Sequence, residues 1–417
     1  MIHAKLSSMN QTEKEKGKGY RASFKLRIKG IIFLSAILVM LSSCVTERTV
    51  VTRKNRSDYD FSEKAMEYLS TIGNEFPNRS VSEDRTDDVE GFRSWLEEEL
   101  VRCGYDPSRI EEQSFSGKNL DDVMVDGRNI ILTVPGRCPE QIIVGAHYDG
   151  SGLGDNGSGV ALVLATAVGL VDIVPQCTIR YIFFDHEEDG RLGSRYYAES
   201  MSEEEMASTV FMINCDSLVF GDFCNVYGGI YGDGYDVGYF FPIINGDDVP
   251  EYEVEHTEGY DYAVEVAEKL GIEVFRTEDL DGYYEENGHG MELNDNALFT
   301  NPWTKAHPAP KNMEYIPPSP VTFGIADQAP FAVRGIPYIY FEATNWWVGD
   351  TEDPDAFLGY YETYDTSIGD GGMFMNTEYD TLENLNRYFP GRAERHYRLY
   401  SPLLSALLLS RPALSGR

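Results

Sequence analysis

One imidazole and five carboxylates stand in short clusters across the middle of the 417-residue chain. His147 and Asp149 lie two apart in Gly145-Ala146-His147-Tyr148-Asp149, and Asp155 follows in Gly154-Asp155-Asn156-Gly157-Ser158-Gly159. Glu187 and Glu188 are adjacent, and Asp216 closes Met212-Ile213-Asn214-Cys215-Asp216. Imidazole and carboxylate oxygens are the ligands of hydrolytic zinc, and a further carboxylate beside such a site can serve as general base. The chemistry these residues could do together is metal-dependent hydrolysis.

Each group taken alone supports two readings. His147 and Asp149 leave a strand end on the same face, so Asp149 can fix the imidazole tautomer behind a metal; a lone histidine is equally a hydrogen-bonded structural residue. Asp155 sits ahead of a helix, where Asp, Asn and Ser cap; Asn156 and Ser158 can fill that role and leave Asp155 free to bridge metal ions. Glu187 and Glu188 leave the strand end in different directions, one toward a metal and one toward a water, or else form a solvated acidic turn with Asp185 and Asp189. Asp216 follows an apolar run, and a buried carboxylate needs a partner or a metal. Three successive strand ends each delivering such groups is the coincidence that favours a site.

The elements that must position these groups alternate. Amphipathic helices are expected around 62–72 and 89–103, strands at 129–134, 141–146, 178–184 and 210–215, and helices at 158–170 and near 192–201. Apolar strands with intervening helices imply a sheet covered on both faces, an α/β sandwich with its ligands at the carboxyl ends of the strands. From about 221 to 315 the chain turns to Gly, Tyr and acidic residues, apart from a helix at 259–270, and this departure is expected to be a lid or binding insertion. A turn at 331–337 leads into a further buried strand, and a last helix is expected near 391–409.

Residues 1–44 read as a targeting segment: Lys25, Arg27 and Lys29 precede the apolar run Ile31–Leu41, which ends in Leu41-Ser42-Ser43-Cys44. This is the pattern of a lipoprotein signal, with Cys44 carrying the lipid. Residues 45–57 are expected to be a tether and 58–417 the folded domain, exported to a bacterial cell envelope. The whole chain has a formal net charge of −34, and the leader takes eight basic and two acidic residues away with it. So acidic a chain excludes nucleic-acid binding, and membrane attachment falls to the lipid alone. Cys103, Cys138, Cys177, Cys215 and Cys224 are scattered without CxxC spacing, against both a disulfide framework and a thiolate metal site.

The order HxD, DNGSG, EE followed by Gly193-Ser194, then NxD closely resembles the co-catalytic di-zinc aminopeptidases, the family of bacterial leucyl aminopeptidase, glutamate carboxypeptidase and glutaminyl cyclase. The resemblance extends through Asp327-Gln328-Ala329-Pro330-Phe331, Gly335-Ile336-Pro337 and Tyr379-Asp380-Thr381-Leu382-Glu383-Asn384. It implies a three-layer α/β/α sandwich with a mixed, mostly parallel central sheet and a lid-like insertion, and a peptide substrate cleaved at its N-terminus. It also implies that Asp155 bridges two zinc ions, one completed by His147 and Asp216 and the other by Glu188 and a late histidine. Glu187 would then be the general base and Asp149 the partner of His147.

One position departs from that pattern. Met375-Asn376-Thr377 stands where the family places its last histidine ligand, and a neutral amide oxygen is a poorer zinc ligand than imidazole. Zinc is therefore expected as one or two ions per chain. Beside an exopeptidase stand two other readings, a degenerate member that binds metal or peptide without turnover and a cyclase-like acyl transfer.

Overall fold

A computed structural model describes residues 57–80, 87–228, 230–231, 254–255, 258–276, 297–302, 326–344, 362–363, 365 and 367–410. The expected signal segment, Cys44 and most of the 45–57 tether lie outside these residues.

A nine-stranded mixed sheet runs through the molecule in the order β1-β2-β4-β3-β5-β11-β6-β10-β9. The strands are β1 (Ile110–Lys118), β2 (Met124–Val134), β3 (Gln141–His147), β4 (Thr178–Phe184), β5 (Thr209–Cys215), β6 (Phe223–Gly228), β9 (Glu273–Arg276), β10 (Ala297–Pro302) and β11 (Tyr338–Thr344). Two short strands, β7 (Ile230–Tyr231) and β8 (Val254–Glu255), pair separately. The consecutive neighbours β4, β3, β5 and β11 are parallel, whereas β1–β2, β2–β4 and β11–β6 are antiparallel. Every residue of β3 and β5 is buried, as in strands covered on both faces.

Alternation along these strands divides the core in two. Ile142, Val144 and Ala146 of β3 pack with Tyr181 and Phe183 of β4 against helices α1 (Ser62–Glu75), α2 (Asp87–Arg102), α3 (Gly157–Gly169) and, near the end of the chain, α9 (Arg392–Leu409). Ile143, Ile182, Phe184 and Met212 face the other way, onto Tyr197 and Ala198 of α4 (Leu192–Ser200) and Phe331 of α7 (Ala329–Ala332). These are the three layers expected.

The region 221–315 contributes more regular structure than its composition suggests. Strands β6, β9 and β10 and the helix α6 (Glu258–Leu270) extend the central sheet and cover it, so part of this region is scaffold. Apart from β7 and β8, most of the remaining expected insertion lies outside the described residues. The hairpin strand β1 is also new: its burial alternates weakly and it has no run of apolar residues to announce it. No disulfide joins the five described cysteines.

Candidate metal centre

The parallel trio β4, β3 and β5 ends on one rim of the sheet, and there the polar groups meet. His147 is the last residue of β3; its Nε2 lies 2.9 Å from Asp155 Oδ1 and 3.5 Å from Asp216 Oδ1. One ligand atom from each of the three falls within 4.8 Å of the others, and all three residues are buried. Asp155 reaches this point because Asn156 takes the cap of α3: its Oδ1 accepts from Gly159 N at 2.8 Å and its Nδ2 donates to Cys215 O at 2.8 Å. The cap leaves Asp155 available, as the sequence implied.

Asp149 does more than orient the imidazole. Nδ1 of His147 lies 3.2 Å from the Asp149 carbonyl and 3.5 Å from its carboxylate. The carboxylate accepts the amides of Glu187 at 3.0 Å and Glu188 at 3.3 Å. One side chain thus ties the end of β3 to the glutamate turn after β4. The turn is set by His186, whose φ of 57° is in the left-handed region that non-glycine residues seldom adopt outside functional or tightly determined sites. Its ring points away from the centre, with Nδ1 2.8 Å from Asp189 Oδ2 and Nε2 3.3 Å from the Asp126 carbonyl.

The electrostatics are those of too much negative charge in too little water. Burial, followed by Asp327, Glu188 and Asp216, pushes the Glu187 carboxyl well above its ordinary range, although His147 opposes it. Burial and Asp155 do the same to Glu188, and burial takes Asp216 to about 6. The His147 ring is disfavoured as a cation by burial, yet Asp216, Asp149 and Asp155 together raise it well above the usual imidazole value. Asp327 is fully buried beside these groups, with its carboxyl pushed to about 7 by burial.

The donor set fits zinc at one position. His147, Asp155 and Asp216 supply one nitrogen and two oxygen ligands, and the Oε1 of Glu188 is buried without a hydrogen-bond partner, as expected of an oxygen that awaits a cation. The second position fits less well. Asn376, with φ 56°, donates Nδ2 to Asp155 Oδ2 at 3.1 Å. An amide facing a carboxylate presents N–H, not its oxygen, so Asn376 occupies the acceptor of Asp155 that a second ion would share. No other described histidine replaces it. His396 is buried and neutral, brought to about 3 by burial, with Nδ1 2.8 Å from the Leu218 carbonyl. His256, His289 and His307 lie outside the described residues.

Residues 129–233, which hold all six expected site residues, match Peptidase family M28. Over this segment the chain resembles the M28 peptidases, and the relatives it matches include aminopeptidases. It is 25% identical over 294 residues to the alkaline phosphatase isozyme conversion protein of Escherichia coli, covering 66% of this chain and 68% of that protein. A probable lipoprotein aminopeptidase of Mycobacterium tuberculosis is 40% identical over 98 residues, which are 22% of this chain and 19% of the relative. The fold is that of a zinc aminopeptidase from Bacillus subtilis, with a TM-score of 0.51 at 13% identity over 83% of this chain and 93% of that one.

Residues near this M28-like centre that carried no sequence signal are Arg79, Arg93 and Glu362. Arg93 lies over the Tyr148 ring, 5.3 Å from its centroid, and pairs with the Tyr148 hydroxyl and with Asp185. Glu362 accepts the amides of Phe374 at 2.7 Å and Met375 at 2.9 Å, holding the segment that presents Asn376. Asp380 lay inside a recognised motif; it accepts the amides of Gly154 and Asp155 at 2.6 and 3.2 Å.

Proposed function

We propose that this protein is a zinc-dependent exopeptidase that removes N-terminal residues from peptides outside the cytoplasm. The observation that carries the reading is the convergence of His147, Asp155 and Asp216 within 4.8 Å beside Glu187 and Glu188. A zinc ion held by the three would polarise the scissile carbonyl. Glu187 is the general base: burial raises its affinity for a proton, and Asp149 fixes its amide, so its carboxylate can take a proton from water and return it to the leaving amine. Asp149 holds the His147 tautomer and the glutamate turn in one arrangement. Glu188, whose Oε1 is buried without a hydrogen-bond partner, would hold a second ion where one is bound.

The test is release of free amino acids from short peptides by the purified protein. Glu187→Gln should lower kcat by about 10²- to 10⁴-fold with zinc content unchanged. Full activity in that variant would remove Glu187 from the mechanism.

A second reading rests on the contact between Asn376 and Asp155. A chain with one dependable metal position would bind metal or peptide with little turnover, and absence of amino-acid release together with tight zinc binding would favour it. Attachment to a membrane of the bacterial cell envelope through a lipid on Cys44 is proposed from the leader pattern alone.

A further inference from the structure

Arg79 has no exposed surface, and its guanidinium spends its donors on three backbone carbonyls. Nε donates to Tyr148 O at 2.8 Å, Nη1 to Phe76 O at 2.7 Å and Nη2 to Gly152 O at 2.6 Å. Its main chain pairs with Gly150 in both directions, at 2.9 and 3.2 Å. One residue therefore grips 148, 150 and 152, alternate positions of the segment that begins directly after His147 and ends three residues before Asp155. Asp149, between the gripped positions, is left to point its carboxylate at the amides of Glu187 and Glu188. Gly150 has φ 110°, and a Cβ there would lie 3.2 Å from the Asp155 carbonyl and 3.3 Å from Glu188 Oε1. The segment is thus gripped by Arg79 and closely packed near Asp155 and Glu188.

A neutral side chain could have bridged the same carbonyls, whereas a buried cation is costly unless opposite charge surrounds it. Here Asp380, Asp149 and Asp155 oppose the desolvation, which lowers Arg79 to about 10 and leaves it charged at neutral pH. Two of those three carboxylates belong to the centre itself. The face of the Phe92 ring, 5.6 Å away, completes the enclosure.

We propose that Arg79 is a positioning residue of the metal centre: it holds Tyr148–Gly152 so that His147, Asp149 and Asp155 are in place before an ion binds. The proposal rests on the zinc reading above. Partners behind metal ligands commonly influence affinity by 10- to 100-fold. Competition with a chromophoric chelator should show the zinc Kd raised about tenfold in Arg79→Lys, whose single amine cannot span three carbonyls, and about a hundredfold in Arg79→Gln. The visible absorption of the cobalt-substituted Arg79→Lys protein should also shift. Leu403→Ala, in the distant core of α9, serves as a control that lowers Tm without changing either readout.

Unchanged zinc affinity and cobalt spectrum in the variants, with Tm lowered as in the control, would reduce Arg79 to a structural brace. Arg79→Lys alone decides the matter where Arg79→Gln does not fold. Parent protein without affinity for zinc would overturn the metal reading and this role together, whereas unchanged variants of a zinc-binding parent would overturn the role alone.

Discussion

At the scale of single residues, the centre turns on which atom an amide presents. Asn376 faces Asp155 with its nitrogen, and a metal shared by the two would need the amide to turn and give up that hydrogen bond. Histidine in its place would offer a ring nitrogen to an ion beside Glu188, whose Oε1 has no hydrogen-bond partner. Asn376→His should therefore raise zinc content from about one to about two ions per chain, measured by elemental analysis of freshly purified protein, and raise turnover with it. Two ions per chain in the unmodified protein would show that Asn376 already serves the second position.

At the scale of elements, the site is assembled by segments that are far apart in the chain. The 374–376 segment is held by Glu362, which is 2% exposed. Burial pushes its carboxyl to about 8, with Asp380 adding to the rise and the two amides opposing it. A proton is thus bound more tightly in the folded chain than in the unfolded one. That contribution to stability is complete below the ordinary glutamate pKa and is lost as pH rises through about 8. Metal-free protein should melt lower at pH 8.5 than at pH 5.5, and Glu362→Gln should remove roughly 5 °C of the difference. Thermal melts with chelator present check this, and an unaltered slope in the variant would dissociate Glu362 from the pH dependence. Element by element, α3, β3, β4 and β5 fall within a residue or so of where hydrophobic period and caps put them. Strands β1, β6, β9 and β10 were not expected: β1 is mostly polar with weak alternation, β9 has four residues, and the interior strands β6 and β10 lie in a region whose Gly, Tyr and acidic residues give no clear period.

At the scale of the whole molecule, the net charge of −34 bears on how the chain could meet a membrane. On the proposal that the leader is a lipoprotein signal, cleavage before Cys44 would remove its eight basic residues, the remaining acidic chain would have no electrostatic attraction to anionic headgroups, and the lipid would supply the attachment. Cys44→Ala should move the protein from the membrane to the soluble fraction, and persistence in the membrane fraction would eliminate the lipid anchor. Zinc bound only by the folded state should stabilise it by mass action. Chelation is therefore expected to lower Tm by several degrees in scanning calorimetry, and His147→Ala should abolish the response.

Local residue types were enough to determine that a sheet delivers His147, Asp155, Glu187, Glu188 and Asp216 to its carboxyl ends, because burial period and strand polarity are written in consecutive residues. They also showed that position 376 is asparagine. Only the tertiary structure decided which atom of Asn376 faces Asp155, that Asp149 is shared between His147 and the glutamate amides, and that Arg79 grips 148, 150 and 152 from 69 or more residues away. Such contacts depend on how segments without local pattern are brought together, and a buried guanidinium or carboxylate has its role from the groups packed around it, not from its neighbours in the chain.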